Sequence, residues 1–205
     1  MHAAGINARA IDLQPSDAGL AATRLADYAG QVHAALQALP RPRAVIGASL
    51  GGLLALCCAE HADALVLVNA LPPSPWHVHL PARTWPEVVP WRTNARLSST
   101  RSALDDADDA SALYAFRRWR DESGAVLREA HAGVAAAAPR CPTLLIGSAH
   151  DADVPPRIAC EMADAWRASH VETVTASHAG ALLGRDAPRI AAQAVAWLNV
   201  AGIHG

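Results

Sequence analysis

The sequence predicts an α/β fold, with a mostly parallel sheet flanked by helices and an inserted helical cap. Apolar runs of strand length alternate with amphipathic helical stretches along much of the 205-residue chain. One of these runs, Ala64–Val68, is continuously apolar, which is typical of a parallel strand covered on both faces. Between residues 71 and 139 the alternation is interrupted. We therefore expect a core formed by residues 1–70 and 140–205, with the cap or lid at 71–139.

The first part of the core is predicted to begin with a short strand at Ala8–Leu13. Apolar residues at helical spacing then favour a helix from Leu20 to Leu39, which Pro40 ends. The next strand covers Ala44–Ala48, and a helix follows it to about His61.

The expected cap begins with prolines and tryptophans and becomes helical from about Ala103. Its acidic run Asp105–Asp109 precedes a helix from Ala110 to Arg120 whose end is basic, as the helix dipole favours. We interpret this charge run as a solvated helix end with no ligand role. The remaining elements are a strand at Leu144–Ser148, a helix at Arg157–Arg167, a strand at His170–Thr175 and a helix at Pro188–Val200.

Composition indicates a soluble globular protein. The chain is 52% hydrophobic and 18% charged with a net charge of −2, so charge gives no reason to expect nucleic acid or a membrane surface as a partner. Neither a membrane-spanning run nor a signal peptide is evident, and we expect a cytoplasmic protein. The expected partner is a small-molecule substrate, and homo-oligomerisation is left open.

No cofactor or metal is expected. The four cysteines have no metal-ligand spacing, and a disulfide framework is not indicated. His77 and His79 would share one face of a strand, which is a weak indication of zinc, but the sequence offers no third ligand near them.

The segment Gly47-Ala48-Ser49-Leu50-Gly51 joins a predicted strand to a predicted helix. Glycines on both sides of Ser49 leave room for a sharp turn that lifts its hydroxyl to the C-terminal edge of the sheet. The backbone N–H of Leu50 would lie at the helix N-terminus, where it can stabilise a developing oxyanion. An ordinary glycine-containing turn is the alternative, but the flanking strand and helix favour a nucleophile elbow.

A serine nucleophile needs a base, and the base needs a carboxylate that orients it. Ser49, Asp151 and His178 each follow a predicted strand, so a parallel sheet would bring them to the same edge. Taken singly, His178 would be a loop histidine bonded to backbone and Asp151 a helix N-cap. Asp153 competes with Asp151 for the acid role, and we prefer Asp151 because it lies closer to the strand end.

Together, Gly47–Gly52, Gly147–Pro155 and Ser177–Gly180 resemble the motifs of the α/β-hydrolase superfamily, in the order of that family. The resemblance implies that Ser49 is the nucleophile, His178 the general base and acid, and Asp151 the orienting carboxylate. It also places the cap of that family at the inserted segment. Some relatives carry the acid after the preceding strand, where this chain has Asn69, which cannot carry the charge.

The resemblance departs at the N-terminus. The family's strand with a His-Gly type loop, which supplies a second oxyanion N–H, has no counterpart. That strand would lie between Ala8–Leu13 and Ala44–Ala48, so these two strands must pair directly or a partner must insert. We hypothesise a truncated start.

Four of the six tryptophans, Trp76, Trp85, Trp91 and Trp119, lie in the expected cap. We expect them to line an apolar substrate pocket, although each could equally pack the cap onto the sheet. The predicted activity is that of a serine hydrolase cleaving a small or medium apolar carboxylic ester, thioester or lactone through an acyl-enzyme. The alternatives are C–C bond hydrolysis or other cofactor-free chemistry on the same triad, and a non-catalytic hydrolase-like binding protein.

Overall fold

A computed structural model describes residues 6–174 and 177–204. Its helices and strands follow one another as α1 (Leu25–Gln37), β1 (Ala44–Ala48), α2 (Leu50–Cys57), β2 (Ala64–Val68), β3 (Val88–Val89), α3 (Leu97–Ala103), α4 (Asp109–Phe116), β4 (Glu122–Ser123), α5 (Gly124–His131), β5 (Thr143–Ser148), α6 (Pro156–Trp166), β6 (Ser169–Thr173), α7 (Gly180–Leu183) and α8 (Ala187–Val200). Short 3₁₀ helices lie at Leu20–Ala22, Ala59–His61 and Trp76–His79.

Four strands form the main sheet in the order β1-β2-β5-β6, and every neighbouring pair is parallel. The central strands β2 and β5 are buried along their whole length. Leu65 and Leu67 of β2 face a core built with α1, α2, α5 and α6, whereas Val66 and Val68 face a core built with α8. Since successive strand residues point to opposite faces, both faces of the sheet are covered, as the continuous apolar run predicts. The α/β prediction is confirmed.

Most predicted elements are present with shifted ends, but three expectations were wrong. The helix expected from Leu20 is interrupted, because Thr23 takes an extended conformation after the first 3₁₀ turn and α1 begins only at Leu25. The helix expected to reach Arg120 ends at Phe116. The segment expected as a first strand, Ala8–Leu13, is not a strand in the structure. The expected strand end at Thr175 lies outside the described residues, and β6 itself ends at Thr173.

The polar groups around Ala8–Leu13 find partners other than a sheet. Arg120 pairs with the carboxylate of Asp12 and donates to the carbonyl of Leu13 at 2.8 Å. Gln14 exchanges two hydrogen bonds of 2.8 Å with the side chain of Gln31 on α1. β1 is the end strand of the described sheet, and a groove of about 330 Å³ separates it from this segment.

The segment between β2 and β5, residues 71–139, contains the antiparallel pair β3–β4 and the helices α3, α4 and α5. Val126 and Ala130 of α5 are fully buried in the same core as α1 and α2. The last part of this inserted segment is therefore continuous with the core of the sheet. Within the described ranges, no helix has the length and apolar character needed to cross a membrane.

Candidate active site

Ser49 lies in the turn between β1 and α2 with φ 51° and ψ −123°, a conformation that costs energy for a residue with a side chain. Two glycines allow the turn to pack so tightly. A Cβ on Gly47 would overlap the carbonyl of Gly51, and a Cβ on Gly52 would overlap the side chain of Ala70. Gly51 itself faces open space, so the expectation that it supplies the room was wrong, and Gly52 has that role.

The backbone around Ser49 is held by both neighbouring elements. Its N–H donates to the carbonyl of Val68 at 3.0 Å, and its own carbonyl accepts from the N–H groups of Gly52 and Leu71, each at 3.0 Å. α2 begins at Leu50, and the first N–H of an α-helix has no acceptor within the helix. The Leu50 N–H, which directly follows Ser49 in the chain, therefore has no acceptor within α2.

Three predicted residues, distant in sequence, form one hydrogen-bonded chain. Nε2 of His178 lies 2.9 Å from the hydroxyl of Ser49, and Nδ1 lies 2.7 Å from Oδ2 of Asp151. The Asp151 side chain is fully buried, and that of His178 is 24% exposed. In this arrangement the carboxylate fixes the Nδ1–H tautomer, which leaves Nε2 free to accept the proton of the serine hydroxyl.

The loop after β5 holds the Asp151 carboxylate in place. Its Oδ1 accepts from the backbone N–H groups of Asp153 at 2.8 Å and Val154 at 2.9 Å, which leaves Oδ2 for His178. Asp153, the competing acid, pairs instead with Arg83 of the inserted segment and makes no hydrogen bond to His178. The structure thus brings Asp151, and not Asp153, into contact with the imidazole.

Charges around His178 act on its pKa in opposite directions. Burial lowers this pKa, whereas the hydrogen bond and the negative charge of Asp151 raise it, and with all the charges around it the pKa of His178 lies above its ordinary value. The charge of Asp153 raises it further, and Arg83 opposes that effect. The surroundings therefore favour the imidazolium form of His178.

Asn69 has a role at the site that the sequence did not reveal. It directly follows β2 with φ 43°, a left-handed conformation that asparagine tolerates better than most residues. Its Nδ2 donates to the hydroxyl of Ser148 at 2.8 Å and to the backbone carbonyl of His178 at 2.7 Å, and its Oδ1 accepts from the N–H of Ser148 at 2.8 Å. The hydroxyl of Thr173 on β6 also reaches Ser148, at 3.2 Å. This buried network joins β2, β5 and β6 to the His178 loop.

A cavity of about 530 Å³ opens onto Ser49 and His178. Three of the four predicted tryptophans, Trp85, Trp91 and Trp119, lie in its wall. Trp85 packs edge-on against Trp91 with ring centroids 6.2 Å apart, and Trp119 donates to the hydroxyl of Thr100 at 2.8 Å. Trp76 is not in the lining of this cavity, because it packs edge-on against Trp166 at 5.5 Å, next to the main core.

The ligand-type side chains that meet here already have partners. Atoms of Asp151, Asp153 and His178 lie within 4.8 Å of one another, which is close enough for a metal ion. The same three side chains already bond to Ser49, to Arg83 and to backbone N–H groups. This arrangement fits a proton relay better than a metal centre.

The histidine pair considered for zinc is not on a strand. Residues Trp76–His79 form a 3₁₀ helix, so His77 and His79 do not share a strand face. The ring of His77 packs over Gly133, whereas Nε2 of His79 lies 3.8 Å from the carboxylate of Glu161.

The chain matches the family model described as the alpha/beta hydrolase family over residues 2–194. No curated protein matches it. Its fold is similar to that of polyneuridine aldehyde esterase (TM-score 0.64, 15% identity, 86% of this chain and 80% of that chain). It is also similar to the monoacylglycerol lipase of Paleococcus ferrophilus (TM-score 0.58, 16% identity, 87% of this chain and 76% of that chain). A mutant of the meta-cleavage product hydrolase CumD has a similar fold as well (TM-score 0.59, 17% identity, 86% of this chain and 72% of that chain). Because the family model spans most of its length, the chain belongs to the alpha/beta hydrolase family and is a hydrolase.

Proposed function

We propose that the protein is a serine hydrolase that cleaves a small or medium apolar carboxylic ester through an acyl-enzyme. The observation that carries this proposal is the continuous chain from Ser49 through His178 to Asp151, with distances of 2.9 and 2.7 Å. A hydroxyl, an imidazole and a buried carboxylate in that order form the constellation that makes serine nucleophilic near neutral pH.

In the proposed reaction the Ser49 oxygen attacks the ester carbonyl, and Nε2 of His178 takes the hydroxyl proton. The tetrahedral oxyanion is stabilised by the Leu50 N–H at the start of α2. The C–O bond then breaks, and the departing alkoxide receives the proton from His178. Water then enters and attacks the acyl carbonyl while it loses a proton to the same nitrogen. The bond between the acyl carbon and the Ser49 oxygen breaks and releases the acid, and His178 returns the proton to Ser49. Asp151 stays ionised throughout and stabilises the imidazolium.

The size and lining of the cavity support an apolar substrate. At about 530 Å³ it falls within the range of pockets that hold small organic ligands. Trp85, Trp91 and Trp119 supply flat apolar surface, and we propose that they contact the acyl or alcohol group. Thioesters and lactones present the same electrophilic carbonyl and belong to the same proposal. We also propose that residues 71–139 act as the cap, because most of the cavity wall comes from them.

C–C bond hydrolysis is the second candidate. One structurally similar protein is named as a meta-cleavage product hydrolase, and a serine–histidine–aspartate chain can serve that reaction too. Turnover of a vinylogous 1,5-diketone by a preparation that is inactive on aryl esters would favour this candidate.

The test begins with a fluorophosphonate probe on the purified chain, beside Ser49→Ala. We expect one adduct, mapped to Ser49 by mass spectrometry and absent from the variant. A p-nitrophenyl ester series of increasing acyl length then compares Trp85→Ala with Trp76→Ala as its matched control outside the cavity. Trp85→Ala should shift the preferred acyl length, and Trp76→Ala should not. Probe labelling that persists in Ser49→Ala would refute the proposal, and ester binding without turnover would indicate a binding protein.

A further inference from the structure

One carboxylate of the acidic run after α3 reaches the loop that carries His178. The Ser177 hydroxyl lies 3.1 Å from Oδ1 of Asp106 and 3.3 Å from the carbonyl of Ala103. With a single proton to donate, it bonds better to the charged acceptor. The backbone carbonyl of Asp106 also accepts from the N–H of Arg185 at 3.1 Å. The interpretation of this run as wholly solvated was therefore wrong at Asp106.

The same carboxylate packs against two glycines, Gly180 at the start of the short helix α7 and Gly184 directly after its end. A Cβ placed on Gly180 would have three atoms of the Asp106 carboxylate as its nearest neighbours, all in overlap. A Cβ placed on Gly184 would also meet Oδ2 of Asp106. The backbone of α7 approaches the carboxylate as closely as it does because both positions lack a side chain.

The neighbouring acidic residues do not share the contact that Asp106 makes with Ser177. Asp108 caps α4 by accepting from the N–H of Ser111 at 2.7 Å, and Asp109 pairs with Arg101 at 2.9 Å. Asp105 is exposed, and no side-chain contact is recorded for it in the described part of the chain. The contact with Ser177 therefore depends on the position of Asp106 and not on the charge of the run.

The loop bearing His178 is thus held from two sides. Asn69 of the core donates to the carbonyl of His178, and Asp106 of the inserted segment holds the preceding residue, Ser177. We propose that Asp106 is a positioning residue, which fixes the His178 imidazole against Ser49 through its contacts with Ser177 and α7. This inference rests on the proposed function, because it assigns His178 as the base.

The position of Asp106 connects the substrate cavity to the base. Thr100 and Ala103 of α3 line the cavity, and Asp106 follows α3 by three residues. A substrate in the cavity would therefore contact the helix that leads directly to Asp106. Loss of the Asp106 contact should act on the proton-transfer geometry, so kcat should fall while KM changes little.

The experiment compares Asp106→Ala, Asp106→Asn and Ser177→Ala with Asp105→Ala, the matched control one residue away. We expect Asp106→Ala to lower kcat about 10- to 100-fold, a range typical of a misplaced catalytic group. Asp106→Asn, which keeps an acceptor of the same shape, should recover part of the loss. The double variant Asp106→Ala/Ser177→Ala should be no slower than the slower single variant, because each substitution removes the same hydrogen bond between Asp106 and Ser177.

Two readouts separate positioning from general damage. The proton on Nδ1 of His178, bonded to Asp151 at 2.7 Å, should give a downfield NMR resonance that His178→Ala removes. That resonance should shift or broaden in Asp106→Ala and stay unchanged in Asp105→Ala. Gly180→Ala should impair the enzyme, and adding Asp106→Ala should relieve its steric clash.

Each result has a defined meaning. An Asp106→Ala variant with the kcat and the His178 resonance of Asp105→Ala would overturn the inference. Additive losses in the double variant would overturn it as well. Full activity in Ser49→Ala would instead refute the proposed function, and the resonance measurement needs no turnover, so the two failures are distinguishable.

Discussion

Replacing Asn69 by alanine would remove three hydrogen bonds and no catalytic group. The N–H of the fully buried Ser148 would lose its acceptor, which costs about 1–3 kcal/mol for a buried unsatisfied group. Alanine would also have to adopt φ 43° without the local side-chain hydrogen bonding of asparagine, at a further cost of about 1 kcal/mol. Together these effects predict a loss of about 3 kcal/mol in the free energy of unfolding.

Urea unfolding followed by circular dichroism measures this loss. With a slope of about 2 kcal/mol per molar urea, the midpoint should fall by about 1.5 M. Asn199→Ala is the matched control, because Asn199 is exposed on α8, and its midpoint should stay near that of the wild type. Equal midpoints for the two variants would refute the argument that the Asn69 network stabilises the sheet edge.

Asn69→Asp separates the effect of Asn69 on protein stability from its effect on the position of His178. A carboxylate still accepts from Ser148, but it cannot donate to the carbonyl of His178. We therefore expect fluorophosphonate labelling of Ser49 to slow in this variant even under conditions where it is fully folded. Labelling at the wild-type rate would mean that the bond from Asn69 does not hold His178 in place.

Two further pairs of variants test the elbow and the charges at the site. Gly47→Ala should abolish probe labelling or prevent folding, because its Cβ would overlap the backbone of Gly51. Gly51→Ala should stay active, since its Cβ meets nothing within 4 Å. Equal tolerance of the two substitutions would contradict this account. The base must be neutral to act, so activity falls as the pH drops through the raised pKa of His178. Asp153→Asn should lower the pKa of His178 and move the acid limb of the kcat/KM profile to lower pH. Arg83→Ala should raise that pKa and move the acid limb to higher pH. Shifts in the same direction would contradict the opposite effects of these two charges on His178.

The sequence was sufficient for the parts of the fold that depend on local pattern. Burial of β2 and β5 on both faces follows from their unbroken apolar runs. Once the strands are parallel, their C-terminal ends share one edge of the sheet, so residues that follow different strands become neighbours. This reasoning selected Ser49, Asp151 and His178, which the structure joins in one hydrogen-bonded chain.

The sequence was insufficient where a role depends on which distant segment approaches. Ala8–Leu13 has the apolar content of a strand, but strand formation needs a hydrogen-bonding neighbour. Here the Leu13 carbonyl accepts from the side chain of Arg120, and the next residue, Gln14, bonds to Gln31 of α1. From the sequence, Asn69 could only be excluded as the triad acid, because it carries no charge. Its amide bonds to Ser148 and His178, which lie 79 and 109 positions further along the chain. In the sequence, Asp106 cannot be distinguished from its acidic neighbours, and only the folded structure shows its contact with Ser177.

The inserted segment contacts both the loop that carries Asp151 and the loop that carries His178. Arg83 pairs with Asp153 on the loop that carries Asp151, and Asp106 holds the loop that carries His178. Ser49, in contrast, is held by backbone bonds to β2 and to the residues that follow it. Ser49 is therefore held by the sheet, whereas His178 and Asp151, the proposed base and its acid, lie on loops that the inserted segment also contacts. Changes in that segment should consequently alter the reactivity of Ser49 as well as the choice of substrate, because the same backbone shapes the cavity and orients the proton acceptor.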